Sequence, residues 1–161
     1  MGGDILDNSH LVSNRSDDFT IAGGISGTGT FEQAGTGTIT MLGDNLYSGG
    51  TTISSGTLQL GNGGSTGSVT GNITDNSHLI IDRGGVYTFN GVISGGGDVT
   101  KAGSGITKIA QTQTYTGATI SRTASCAPRP QRPRQHLGAD GRSRRRLLDE
   151  RLRPDGGRRG Q

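Results

Sequence analysis

The chain repeats itself over a long stretch. Residues 5–51 align without a gap with residues 73–119, at an offset of 68 positions, and 19 of the 47 aligned pairs are identical. The pentapeptide DNSHL at residues 7–11, for example, returns at residues 75–79. Self-similarity of this length in a chain rich in Gly and Thr predicts a stacked repeat architecture, in which each unit buries its apolar side only against its neighbours.

The repeats end where the composition changes. Residues 1–121 carry four basic and nine acidic side chains, whereas residues 122–161 carry twelve Arg and four acidic side chains. All four Pro and the one Cys also lie after residue 121. We therefore expect one repeat domain over residues 1–121, with copies at about 5–53 and 73–121, followed by a chemically different tail.

The tail, residues 122–161, has too few apolar residues to offset the entropy of ordering, so we expect it to be disordered. Its Arg content is compatible with an arm that binds nucleic acid, centred on Arg144–Arg146. However, it has no aromatic residue that could stack on a base. A frameshifted, non-native reading of GC-rich codons explains the Arg, Pro and Gly content better, and we predict no nucleic-acid partner.

Short β-strands are predicted wherever apolar and polar residues alternate between Gly-rich turns. The clearest are Phe19–Ile21, Thr38–Met41, Thr57–Leu60 and Tyr87–Phe89. No stretch of the repeat domain has the apolar spacing of a helix. The pattern fits a β-sandwich or a parallel β-helix, and the near-equivalent sub-repeats favour the β-helix. With about 20–25 residues per turn, 68 residues would make about three turns and the domain five or six.

Residues 35–64 carry a longer signature, GTGTITMLGDNLYSGGTTISSGTLQLGNGG. It resembles the autotransporter-associated β-strand repeat, also called the passenger-associated transport repeat. The positions that match the family pattern are Gly35, Gly37, Thr38, Thr40, Gly43, Asn45, Tyr47, Gly49, Thr51, Ile53, Gly56 and Leu58. The second copy retains Gly103, Gly105, Tyr115 and Gly117. It is degraded elsewhere, because Gln111 replaces the motif Gly and Gln113 replaces the motif Asn.

The resemblance implies an all-β, right-handed parallel β-helix in the exported passenger of a Gram-negative autotransporter. Such passengers reach the cell surface through a C-terminal outer-membrane β-barrel of the same polypeptide, and the repeat is thought to help folding during export. Neither a barrel nor a signal peptide is present, so we expect a fragment of a longer protein.

The leading hypothesis is a structural and export module without catalytic activity, cofactor, metal or small-molecule substrate, whose motif residues act through shape. A surface adhesin that contacts glycans or proteins of a host or neighbouring cell is the second hypothesis. The third, a polysaccharide-degrading β-helix enzyme, requires converging carboxylates. The acidic residues available for it are Asp17, Asp44, Asp82 and Asp98.

The remaining candidate side chains favour structural roles. His10 and His78 occupy equivalent repeat positions, so three turns would separate them by about 14 Å, too far to share a metal ion. Tyr47 and Tyr115 recur in the motif and are expected to pack at corners rather than stack on sugars. Asp75 falls in or beside a turn, where Asp commonly makes local hydrogen bonds.

Overall fold

The computed structural model describes residues 2–122, in which all regular structure is β-strand. The strands, β1 to β15 in chain order, are Ile5–Leu6, His10–Ser13, Phe19–Ile21, Ile25–Ser26, Thr30–Gln33, Thr38–Met41, Thr51–Ile53, Thr57–Leu60, Ile73–Asp75, His78–Ile81, Val86–Phe89, Ile93–Ser94, Asp98–Lys101, Ile106–Ile109 and Thr119–Ser121. No helix in this part of the chain is long and apolar enough to cross a membrane. The predictions for residues 123–161 lie outside the described residues.

All the strand pairs are parallel, and each joins residues about one turn apart. Ile5 pairs with Ile25 and Phe19 with Ile39, both 20 residues further along the chain. The largest sheet stacks six strands in this way. The described residues therefore form a parallel β-solenoid of about six turns, which confirms the predicted β-helix. A sandwich would instead pair its strands antiparallel.

Each turn passes through three strand positions, here called faces. The first face is the five-stranded sheet of β2, β5, β7, β9 and β12, and the second face is the six-stranded sheet of β3, β6, β8, β10, β13 and β15. The third face comprises the pairs β1–β4 and β11–β14. Between these pairs, the third-face segments 44–46 and 68–70 are joined by a single bridge from Asp44 to Ser68.

The 68-residue repeat does not equal three whole turns, contrary to the sequence-based expectation. Phe31 is displaced by 20 residues from its partner Leu11, and Ile39 by 19 from its partner Leu58. Three turns therefore account for only about 60 residues, and the remainder carries the chain onto the next face. Copies of one motif consequently lie on different faces: β2 is on the first face, whereas its counterpart β10 is on the second.

The core is a column of side chains that face inward from successive turns. On the second face, Ile39, Leu58 and Leu79 follow one another in register, and none has any solvent exposure. Their neighbours in sequence point outward, as the alternation within a strand requires. Each turn contributes only a few apolar side chains, so a modest apolar content suffices when the turns stack.

We predict that Leu58→Ala lowers the free energy of unfolding by about 2–5 kcal/mol, because it opens a cavity between two neighbouring turns. Leu58 lies in the middle of the column and is fully buried. The matched change Thr20→Ala, on an exposed position of β3, should alter it by no more than about 0.5 kcal/mol. Urea unfolding followed by circular dichroism measures both, and equal losses would contradict the inward column.

Candidate functional site: the corners between turns

Asn45 binds three successive turns together at one corner. Its Oδ1 accepts the Ile25 N–H at 3.0 Å, and its Nδ2 donates to the carbonyls of Gly43 at 3.0 Å and Ser68 at 2.8 Å. The side chain has no solvent exposure. Buried backbone groups need partners, and at this corner, where the chain leaves one strand for the next, the amide side chain supplies them.

Gln113 makes two of the three corresponding bonds in the second copy, to its own turn and to the preceding one. Its Oε1 accepts the Ile93 N–H at 2.6 Å, and its Nε2 donates to the Gln111 carbonyl at 2.6 Å. Ile93 and Gln111 stand 68 positions after the corresponding partners of Asn45. The sequence interpretation treated Gln113 as degradation of the motif. The structure corrects this, because the longer amide reaches the equivalent backbone groups.

At other corners, bonds between turns run in the opposite direction to those that Asn45 and Gln113 accept from the preceding turn. A side-chain oxygen accepts a backbone N–H that lies 20 residues further along the chain, which is the next turn of the solenoid. These pairs are Asp4 with Gly24, Asn8 with Thr28, Asp18 with Thr38, Asn72 with Val92, and Asp98 with Ala118, at 2.6–3.2 Å. Backbone ladders on the faces and side-chain bonds at the corners thus join successive turns.

The motif tyrosines are anchored within their own turns. The Tyr47 hydroxyl lies 2.6 Å from Thr51 Oγ1, and the Tyr115 hydroxyl lies 2.5 Å from Thr119 Oγ1. Tyr47 is fully buried, and its ring packs against Phe31 with centroids 6.4 Å apart. Burial raises the pKa of Tyr47 far above its usual value, so the phenol stays neutral. Such a ring cannot present a face to a sugar.

The motif glycines let the backbones of adjacent turns approach closely. A Cβ built on Gly35 would overlap the Arg15 carbonyl oxygen, and one built on Gly103 would overlap the Arg83 carbonyl oxygen. The same holds for Gly37, Gly105, Gly49 and Gly117 against the preceding turn. At Gly43, the Cβ position lies only 2.5 Å from the Gly23 carbonyl oxygen.

Of the other motif residues of the first copy, Thr38 and Thr40 lie on the partly exposed side of β6, and the rest face inward or turn the chain. Thr51, Ile53 and Leu58 are buried in the column. Gly56 adopts a φ of 63°, a left-handed conformation that side chains disfavour. The matched motif is therefore a corner together with the strands on both sides of it.

A second repeated corner carries a buried carboxylate. Asp75 Oδ1 accepts the Ser77 N–H at 3.0 Å, and the corresponding pair, Asp7 and Ser9, has the same distance. Asp75 is fully buried, and its Oδ2 has no hydrogen-bond partner. Burial raises the pKa of Asp75 above its usual range. The predicted turn role of Asp75 is confirmed, and its burial adds an energetic cost that the sequence did not reveal.

The two histidines occupy different faces, which corrects the prediction that they sit at equivalent positions three turns apart. His10 Nδ1 lies 2.5 Å from Thr30 Oγ1, and its Nε2 lies 3.1 Å from Glu32. His78 Nε2 lies 3.3 Å from Thr100 Oγ1. Within residues 2–122, no group of three or more His, Cys, Asp or Glu side chains is placed to hold a metal ion.

The carboxylates considered for catalysis are distributed over different turns. Asp17 pairs with Arg15 at 2.6 Å, and Asp44 Oδ1 accepts the Ser68 hydroxyl at 2.7 Å. Asp98 binds the Ala118 N–H at 2.6 Å, while Asp82 follows the end of β10. Three of the four thus hold partners in their own or the next turn.

Two arginines form contacts that the sequence reasoning missed. Arg15 lies over the Phe19 ring at 4.8 Å, and Arg83 lies over the Tyr87 ring at 4.6 Å. The signal was available, because the two pairs stand 68 residues apart and both place an aromatic residue four positions after Arg. Arg83 is buried, unlike Arg15.

Comparison with known proteins agrees with this geometry. The family described as passenger-associated-transport-repeat matches residues 31–60 and 99–121. These segments contain the Asn45 and Gln113 corners. The chain carries passenger-associated transport repeats.

A 91-residue stretch, 56% of this chain, is 47% identical to a protein named Adhesin BmaC autotransporter, from Brucella suis biovar 1 (strain 1330). The aligned stretch spans 3% of the length of that relative. No solved structure matches the chain. The similarity therefore leaves most of the relative's length without a counterpart in this chain.

We predict that losing the corner side chain lowers the free energy of unfolding more at Asn45, in the first passenger-associated transport repeat, than at Gln113 in the second. Asn45→Ala leaves the buried Ile25 N–H without a partner, at about 1–3 kcal/mol, and removes the side-chain bonds to the Gly43 and Ser68 carbonyls, of which Ser68 keeps the Asn45 N–H. Gln113→Ala should cost less, because that side chain is partly exposed and water can replace it. Asn62→Ala, in an exposed turn, is the control. Thermal unfolding ranks the three variants, and an equal loss for Asn45→Ala and Asn62→Ala would contradict the corner assignment.

A second prediction concerns the Asp75 turn. Because the pKa of Asp75 is raised in the folded state, the unfolded chain releases this proton at lower pH. Its contribution to stability is therefore present at acidic pH and is lost as the pH rises through the folded pKa. Asp75→Asn keeps the Oδ1 acceptor without the charge, so we expect a variant that is more stable at neutral pH and lacks this decline.

Urea unfolding at a series of pH values from acidic to neutral measures this effect. Asp82→Asn, at a partly exposed position, should retain the decline of the parent chain. A parent and an Asp75→Asn variant with the same pH dependence would rule out the buried carboxylate as its source.

Proposed function

We propose that residues 2–122 form a non-catalytic structural segment of an autotransporter passenger. In this proposal the segment is displayed on the surface of a Gram-negative bacterium or secreted from it. Its partner in the full-length protein is the outer-membrane β-barrel through which the passenger is exported. The repeat match and the name of the similar Brucella protein support this assignment.

The proposal rests on how far along the chain the hydrogen bonds between turns extend. The corner bonds of Asn45 and Gln113 extend only to adjacent turns, and each ladder partner lies one turn away. A turn can thus complete its hydrogen bonds as soon as its neighbour exists. A chain emerging from a pore can fold progressively by this means, without waiting for a distant segment.

The motif residues act in this proposal through shape. The glycines permit the spacing of the turns, Asn45 and Gln113 close the corners, and Tyr47 fixes the bend that leads into β7. None of these roles depends on a ligand. The proposal accordingly assigns no cofactor, metal or small-molecule substrate to these residues.

A display experiment tests the proposal. The 161-residue chain is fused, with a secretion signal, upstream of an outer-membrane β-barrel translocator, and its surface exposure is measured with antibody on intact cells. Gly35→Val forces a side chain into the Arg15 backbone and should reduce both display and protease resistance. Gly64→Val is the matched control, because nothing lies within 4 Å of its Cβ position.

Normal display and protease resistance of Gly35→Val would contradict a role that depends on turn-by-turn folding. Impaired display of both variants would show that export responds to the added side chain itself, which also counts against the proposal.

The second candidate function is adhesion, which is favoured by the name of the similar Brucella protein. Under this alternative, the exposed Thr- and Asn-containing surface contacts a glycan or protein of another cell. Binding of the fluorescent chain to host cells should then be saturable and should be displaced by unlabelled chain. Binding that rises linearly with concentration supports the purely structural assignment.

A further inference from the structure

The backbone ladder of the third face is interrupted between the segment 68–70 and β11. Among residues 2–122, no backbone hydrogen bond joins these two segments, although the same two turns are paired on the other two faces. The Tyr87 hydroxyl substitutes for one: it donates to the Val69 carbonyl at 3.2 Å and lies 3.5 Å from the Val69 nitrogen. The side chain thus satisfies the edge of the earlier turn, while the facing edge of β11 receives no such partner.

A cleft of about 290 Å³ opens at this interruption. The volume corresponds to about ten water molecules, which is too large for a single ion. Its exposed walls include Thr70, Asn72, Thr88 and Asn90, and Phe89 is buried beneath them. Of residues 2–122, none that lines the cleft carries a charged side chain. The cleft therefore suits a neutral ligand that forms hydrogen bonds.

Within the described part of the chain, no backbone group pairs with the edge of β11 that faces this cleft. On its other side, the Gly85 and Phe89 carbonyls accept the N–H groups of Ile106 and Ala110 in the next turn. Hydrogen-bonding directions alternate along a strand, so the N–H and carbonyl of Thr88 point the opposite way, towards the cleft. This free strand edge lies in the middle of the solenoid rather than at its end.

Buried Arg83 holds the interruption open. Its guanidinium donates to the Ser65 carbonyl, lies 3.5 Å from Asp44 Oδ1 and covers the Tyr87 ring at 4.6 Å. The turn that contains Ser65 is also longer, because Thr51 pairs with a residue 22 positions further along rather than 20. The longer turn and its clamp separate β11 from the preceding turn, so the cleft is formed before any ligand arrives.

We propose that this cleft binds a short, extended, uncharged segment of another polypeptide, which pairs with the free edge of β11. Strand addition to an exposed edge derives its affinity from main-chain hydrogen bonds. An added strand would continue the ladder that β14 and β11 already form on this face. Outward side chains of the bound segment would meet the hydroxyls of Thr70 and Thr88, which favours β-branched residues.

Amide hydrogen exchange on the full 161-residue chain tests the proposal. The probe is a capped hexapeptide of alternating Thr and Val. At saturation, exchange of the Thr88 amide should slow by about tenfold or more, as expected when a free N–H gains a backbone partner. Protection confined to the terminal strand β15, or no protection at all, would overturn the proposal.

A pair of proline variants locates the binding edge. Thr88→Pro removes the N–H that faces the cleft and should abolish binding of the hexapeptide. Thr107→Pro is the matched control, because the N–H of Thr107 points away from β11 by the same alternation. Equal affinity of the two variants for the peptide would refute the assignment, and the exchange data on the parent chain stand even if a variant misfolds.

A glycan is the other class of uncharged ligand that could form hydrogen bonds in the cleft. A neutral oligosaccharide therefore serves as the comparison for the peptide. Maltohexaose should leave exchange of the Thr88 amide unchanged. Protection of Thr88 by maltohexaose without protection by the hexapeptide would replace the proposed strand receptor with a glycan site.

Discussion

The hydrogen bond between residues one turn apart is the constraint on which the rest of the solenoid depends. On a face, the backbone ladder supplies it, but at a corner the chain bends and its N–H groups lose their ladder partners. An unpaired buried N–H costs about 1–3 kcal/mol, a large fraction of the stability of a domain of this size. Side-chain oxygens such as those of Asn45 and Asp98 solve the problem by reaching the neighbouring turn. Their spacing of 20 residues matches the offset of most of the strand pairs.

Close spacing of the turns follows from the same constraint. A side chain as short as Asn or Asp can bridge two turns only if the backbones come near each other, and at several corners they come too near for a Cβ. Gly35 against Arg15 and Gly103 against Arg83 are two such places. The Gly content is therefore coupled to the Asn and Asp content, and neither is a mere sign of loops. The turn before β9 is longer, and there the buried side chain of Arg83 fills the space between neighbouring turns.

Much of this could be predicted from the sequence, because strand alternation and repetition are local signals. The strands at Phe19, Ile39 and Leu58, the parallel stacking and the all-β class all follow from them. The offset of 68 was visible, but its division into turns was not, since the length of a turn depends on how corners pack. Nor can a sequence show that Gln113 replaces Asn45, because that depends on how far a longer side chain must reach. Among the candidate positions, the sequence around Asp75 is that of an ordinary turn residue. Only the structure shows that its carboxylate is buried, which has an energetic cost.

The rotation of the second copy by one face bears on the choice between a structural and a recognition role. A strip that binds a repeating ligand needs its copies aligned on one face. Here the two DNSHL segments carry His10 on the first face and His78 on the second, so their outward side chains cannot form one strip. A motif that works by closing corners tolerates this rotation, because every corner poses the same backbone problem. Both copies make the corner bond, at Asn45 and at Gln113, despite the change of face, as a motif that acts on the backbone of its own corner requires.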